Sequence, residues 1–143
     1  MDDVDIRELT TVSEFRDAYP VLSQLRDHLS VEGYLDRLET MREEGYRLFA
    51  LYEDSQIVAV VGGTRNHNFY SGPHLFVYDL VTDENRRSEG FGGELLKFVD
   101  EWAREESCDH VALESGLWRD RAHEFYEDHG YEKFCYSFRK ELD

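Results

Sequence analysis

The decapeptide Arg87-Ser88-Glu89-Gly90-Phe91-Gly92-Gly93-Glu94-Leu95-Leu96 sets a polar turn and three glycines directly before an amphipathic run. Ahead of it, Leu75-Phe76-Val77-Tyr78-Asp79-Leu80-Val81-Thr82 is rich in β-branched and aromatic residues and bounded by Gly72-Pro73, which predicts a strand. Behind it, Phe91, Leu95, Val99 and Trp102 recur at helical spacing with Phe98 and Ala103 beside them, which predicts a helix. Glycines allow close approach of the main chain to a ligand. The first amides of a helix lack internal partners, and the helix dipole favours negative charge there, so phosphate is a natural occupant. No Gly-Lys-Ser/Thr ending is present, and a dinucleotide fingerprint would need a third glycine where Leu95 stands. What remains is Arg-x-x-Gly-x-Gly, which reads either as an anion cradle or as a glycine-rich loop without a ligand.

Strand, Arg-x-x-Gly-x-Gly, helix resembles the central motif of the GNAT superfamily of acyl-CoA-dependent N-acetyltransferases. A second motif lies downstream. His110-Val111-Ala112-Leu113-Glu114-Ser115 reads as the next strand, and Arg119 to Tyr131 resembles the family's Ala-x-x-Phe-Tyr-x-x-x-Gly-Phe/Tyr helix, with Gly130 closing it. Tyr136 to Lys140 resembles the closing strand. The resemblance covers Leu75 to Lys140, about half the chain, with two motifs in the right order and separation.

Along the rest of the chain, Val4 to Leu9 alternates as a first strand, and Thr11-Val12-Ser13-Glu14 is a capping box that opens a helix. Pro20 should break or kink that helix. A second helix is expected from Val31 to Glu44, stopped by Gly45. Arg47 to Glu53 and Gln56 to Thr64 form a hairpin about Asp54-Ser55, Asn66 to Gly72 is a polar and aromatic connection, and Glu132 to Leu142 supplies one or two further strands. The order β-α-α-β-β-β-α-β-α-β matches the GNAT fold. It implies an α/β (α+β) domain over 1–143, with a mixed sheet of about six or seven strands and about four helices.

Composition narrows the function classes. The 143 residues suit one domain with a real core. No segment approaches a membrane span of ~20 apolar residues, and the acidic N-terminus is unlike a signal peptide, so a cytoplasmic protein is expected. Cys108 and Cys135 read as two small buried hydrophobes with no metal-ligand spacing around them, so no metal is expected. Acids outnumber bases 32 to 16, spread along the chain, and Lys97, Lys133 and Lys140 are the only lysines. That distribution resembles adaptation to a halophilic, high-salt cytoplasm, where salt screens self-repulsion. A net charge of −16 argues against nucleic acid as a partner.

The GNAT resemblance implies acetyl transfer from acetyl-CoA, as co-substrate, to a primary amine by direct attack in a ternary complex. It places the pyrophosphate on the amides of Ser88, Glu89, Gly90, Phe91, Gly92 and Gly93, with Arg87 adding charge. Arg86 beside it reaches a phosphate or faces solvent, and solvent is the expectation. Pantetheine would lie along the backbone of Leu80, Val81 and Thr82, and Ser115 would face the cofactor. An amide near Val81 would polarise the carbonyl, and Tyr126 would protonate the leaving sulfur. For the general base, Asp79 is favoured over Glu114, His67 and His123, with a structural strand acid as the other reading of Asp79. The acceptor, a small-molecule or peptide amine, would meet Tyr34, His67, Phe69, Tyr70 and Tyr136. A homodimer edge could form from Phe134, Tyr136 and Phe138. The competing readings are a non-catalytic acyl-CoA-binding module and a nucleotide-binding regulator.

Overall fold

The computed structural model describes residues 4–142. Its elements run β1 (Val4–Glu8), α1 (Val12–Leu22), α2 (Val31–Glu43), β2 (Arg47–Glu53), β3 (Gln56–Asn68), β4 (Gly72–Thr82), a 3₁₀ turn at Glu84–Arg86, α3 (Phe91–Glu105), β5 (His110–Leu113) and α4 (Asp120–Asp128). The strands form one mixed sheet in the order β1-β2-β3-β4-β5, with antiparallel pairing from β1 through β4. The chain divides into two compact units, the boundary falling between Ala112 and Leu113.

In the first unit, local chemistry sets the element ends. The Thr11 side chain accepts from the Glu14 amide at 3.2 Å, and the Glu14 carboxylate returns a bond to the Thr11 amide at 3.0 Å, which completes the capping box. The Thr10 amide, and after it the Thr11 amide, donate to the Glu14 carboxylate and hold it below the usual range. Helix α1 runs through Pro20 and ends at Leu22, so the proline is absorbed in the last turn instead of breaking the helix where it stands. Asp54 and Ser55, both at positive φ, close the β2–β3 hairpin. The connection expected over Asn66 to Gly72 is shorter than its polarity suggests. Asn66 to Asn68 continue the ladder opposite His74 to Gly72, leaving only the tip, where Asn68 accepts from the Ser71 amide at 2.6 Å.

One sheet face carries α1 and α2. Phe15, Ala18, Val21, Tyr34 and Leu38 pack there with Leu48, Ala50, Val60 and Val81. Helix α3 buries Phe91, Leu95, Val99 and Trp102, whose spacing keeps them on one stripe. Burying each such side chain contributes about 1.5–3 kcal/mol. Phe49 meets both Phe98 and Trp102 with ring centroids 4.8 Å apart.

The second unit holds α4 and the segment after it. The strands expected over Glu132 to Leu142 do not form among the described residues, so the sheet has five strands where six or seven were expected. The apolar alternation of Phe134, Tyr136 and Phe138 is genuine, but all three are exposed. Alternation supplies a strand's faces, and only a ladder partner makes it a strand.

Candidate functional site

The glycine turn is built as a cradle. After β4, the Asp83 side chain accepts from the Asn85 amide at 3.0 Å and starts the 3₁₀ turn. The chain passes Ser88 at φ 68 and reaches Gly90 at φ 88, the left-handed N-cap of α3. No side chain caps this helix, and a Cβ placed on Gly90 would meet nothing within 4 Å. The amides of Phe91, Gly92 and Gly93 are thus left for a ligand at the positive end of the dipole. This geometry fits a pyrophosphate.

Arg86 does not face solvent as expected. Its guanidinium bonds Glu53 and both oxygens of Glu89, the latter at 2.9 and 3.0 Å, and lies 5.3 Å from the Phe91 ring centre. It braces the turn, because two carboxylates and an aromatic face outcompete water for a planar cation. The Arg86 bond holds the Glu89 carboxyl below its ordinary range, and the Glu89 and Glu53 bonds raise Arg86. Arg87 is exposed and makes no ion pair among the described residues, so its charge is available.

Leu80, Val81 and Thr82 pair with Val61, Val60 and Ala59 on one edge. On the other edge, β5 starts beside the beginning of β4: the Asp109 amide donates to the Pro73 carbonyl at 2.8 Å, and His110 stacks on His74. A strand of 4 residues starting there is outrun by the 11 residues of β4. The edge near Leu80, Val81 and Thr82 therefore extends past its neighbour. Just before them the ladder steps from Gly62↔Asp79 to Gly63↔Val77, so Tyr78 is a bulge residue. The sequence reading missed this bulge; its signal was the glycine pair inside β3.

Asp79 is 8 % exposed and has both oxygens engaged. Oδ1 accepts from Arg26 Nε at 2.9 Å and Oδ2 from the Tyr46 hydroxyl at 2.7 Å. The expectation of a general base at Asp79 meets a carboxylate already committed to two donors, and a structural role is the reading this geometry favours. Burial, then the charge of Asp79, pushes the Tyr46 phenol far up, and the same causes raise Tyr34. Arg26 and Tyr46 carry no motif, so sequence reasoning had no means of finding them.

In the second unit, the Ser115 hydroxyl oxygen is buried without a hydrogen-bond partner. Tyr126 lies on α4 with its ring centre 5.4 Å from Phe125 and 5.8 Å from Tyr131. His123 Nε2 is 2.8 Å from the Gly116 carbonyl, where it donates as N–H and ties the preceding loop to α4. Glu114 is exposed, as is His67 at the far end of β3. Among the described residues no group of three or more His, Cys, Asp or Glu could hold a metal, and no helix is long and apolar enough to cross a membrane.

A mixed sheet whose fourth strand turns through glycines into an uncapped helix defines an anion-binding class of site. The chain belongs to the Acetyltransferase (GNAT) family, which matches residues 9–131, and it is an acetyltransferase. It is 42% identical over 139 residues to the uncharacterised N-acetyltransferase YhdJ of Bacillus subtilis (strain 168), covering 96% of this chain and 98% of that one. Its fold is similar to that of AAC(6')-Iy, solved with the bisubstrate analog CoA-S-monomethyl-acetylneamine (TM-score 0.84, 17% identity, 99% of this chain and 100% of that one). It is also similar to that of glucosamine-6-phosphate N-acetyltransferase from Arabidopsis thaliana (TM-score 0.76, 22% identity, 99% and 100% covered).

Proposed function

We propose that this acetyltransferase carries an acetyl group from acetyl-CoA to a primary amine by direct attack within a ternary complex. The observation that carries the reading is the uncapped N-terminus of α3 behind left-handed Gly90, following a strand edge that outruns its neighbour. Amides from Ser88 to Gly93, with Arg87, would hold the pyrophosphate. The main chain of Leu80, Val81 and Thr82 would hold the pantetheine, and Ser115 keeps the cofactor-facing role that the family resemblance gives it. When bound, acetyl-CoA supplies the activated thioester. A β4 amide near Val81 donates to the carbonyl oxygen as it gains charge. The Tyr126 phenol gives a proton to the leaving sulfur; the α4 motif supports this role. With Asp79 occupied, the amine's proton passes through water to another base, for which Glu114, His67 and His123 are the candidates.

The family match crosses the boundary between the two units, which supports one domain over 1–143. We read the setting as a high-salt cytoplasm from the 32 dispersed acids, and the exposed Phe134, Tyr136 and Phe138 as a homodimer edge. The acceptor class includes aminoglycosides and amino-sugar phosphates, the kinds of amine named for the fold relatives. The test is thiol release from acetyl-CoA against a panel of an aminoglycoside, glucosamine 6-phosphate, a polyamine and a peptide amine, with mass detection of the product. Acetylation of an amine supports the reading. Acetyl-CoA binding with no thiol release across the panel would favour a non-catalytic acyl-CoA-binding module.

A further inference from the structure

The connection between α1 and α2, residues 23–30, is fastened to the stretch from Tyr78 to Glu84 at two places. At one end, the Glu84 amide donates to Gln24 Oε1 at 2.8 Å, and Gln24 Nε2 reaches Asp83 Oδ1 at 3.4 Å. At the other, Arg26 Nη2 donates to the Tyr78 carbonyl at 2.8 Å while its Nε donates to Asp79 Oδ1 at 2.9 Å. Tyr78 is the bulge residue, so its carbonyl has left the regular ladder and needs a partner from elsewhere. Arg26 is that partner. Asp79 is then held from its other oxygen by Tyr46, whose hydroxyl lies where a Cβ on Gly62 would stand, and Gly62 is the ladder partner of Asp79. Leu80, Val81 and Thr82 lie between the two fastenings, with no side chain of the connection bonded to them among the described residues.

We infer that Arg26, Asp79 and Tyr46 are positioning residues that fix the β4 bulge, and with it the direction of the amide that polarises the thioester carbonyl. This rests on the acetyl-CoA reading above and deepens it. An ion pair with one partner half-buried gains little net stability, since desolvation and solvent screening offset much of its attraction. It is well suited to holding one backbone geometry, because Arg26 spans a side-chain and a main-chain acceptor with one rigid fork. Asp79 thus acts on the reaction through the backbone, without taking a proton. The fastening also ties the donor strand to the connection between the first two helices, so a displacement of residues 23–30 would be felt at the carbonyl.

The test uses two readouts on full-length wild type, Arg26→Gln, Arg26→Lys and Asp79→Asn. The first is amide hydrogen exchange at Tyr78 to Thr82 in protein without ligand. Exchange there should rise about tenfold in Arg26→Gln, with α3 unchanged, and Arg26→Lys should lie between. The second is the infrared carbonyl stretch of bound [1-13C]acetyl-CoA, alongside calorimetric affinity. Wild type should shift the stretch down from the free value, and both Arg26→Gln and Asp79→Asn should lose most of that shift while affinity changes less than about threefold. An unchanged stretch and unchanged exchange in Arg26→Gln would overturn the inference. Failure of folded wild type to bind acetyl-CoA would instead overturn the reading beneath it, and the exchange result would still decide whether the clamp exists.

Discussion

Tyr46→Phe isolates one atom of the clamp. The ring stays, so no cavity larger than an oxygen is left. What is lost is a 2.7 Å bond to a carboxylate oxygen of Asp79, a residue 8 % exposed. A bond to a charged acceptor contributes about 1.5–3 kcal/mol, and the buried acceptor left without a donor sets the loss near the upper end. We expect about 2–3 kcal/mol at pH 7, a fall of roughly 30- to 150-fold in the folded-to-unfolded ratio and of some 5–10 °C in Tm. The pH dependence gives an independent sign. Burial raises the Tyr46 phenol in the folded state above its unfolded value of about 10. The folded chain therefore holds a proton that the unfolded chain releases above that pH. The stability from this group is present below pH ~10 and is lost as pH rises further. Tyr34 behaves alike, its shift having the same direction and the same first cause. Wild type should lose stability steeply above pH ~10, and Tyr46→Phe less steeply, so the gap between them narrows. Urea unfolding followed by circular dichroism from pH 7 to 11 measures both quantities. A loss under about 0.5 kcal/mol at pH 7, or a gap constant through the alkaline range, would refute the reasoning.

Three further outcomes follow. Gly62→Ala should cost more than about 3 kcal/mol, because its Cβ collides with an anchored phenol that cannot swing aside; a folded variant of near-native Tm would contradict the close approach. Tyr126→Phe should lower turnover about 10²- to 10⁴-fold with acetyl-CoA affinity retained, and turnover within twofold of wild type would remove Tyr126 from the acid role. Raising potassium chloride from low to molar concentration should stabilise the fold and leave acetyl-CoA affinity level or higher, because a net charge of −16 repels both itself and a polyanion; a steep monotonic loss of affinity in folded protein would sink the high-salt reading.

Periodicity and turn chemistry made the fold legible wherever the signal was local. The spacing of Phe91, Leu95, Val99 and Trp102 gave α3, Thr11 and Glu14 gave the start of α1, and Asp54-Ser55 gave the hairpin. What escaped depended on partners far along the chain. Pro20 sits in a helix that ends two residues later, so its local penalty did not decide the boundary. Asn66 to Asn68 look like loop but are held by pairing with β4, and the alternating Phe134, Tyr136 and Phe138 look like strand but form none among the described residues. The site divides in the same way. The glycine turn and the uncapped start of α3 were legible, because they are a property of ten consecutive residues. Asp79 was visible as a carboxylate in a telling place, yet its duty depends on Arg26 and Tyr46, residues 53 and 33 positions away. Arg86 was misread for the same reason, since Glu53 reaches it from β2.

The measurement that tests the central claim most directly is calorimetric titration of acetyl-CoA into wild type and Gly90→Glu, in molar potassium chloride. Gly90 holds φ 88 at the head of α3, so a side chain there strains the turn and a carboxylate adds negative charge where the pyrophosphate would sit. Micromolar binding by wild type, lost in a Gly90→Glu protein whose circular dichroism is native, is the predicted result. Equal binding by the two folded proteins would place the cofactor elsewhere, and no binding by folded wild type would leave the cradle without its ligand.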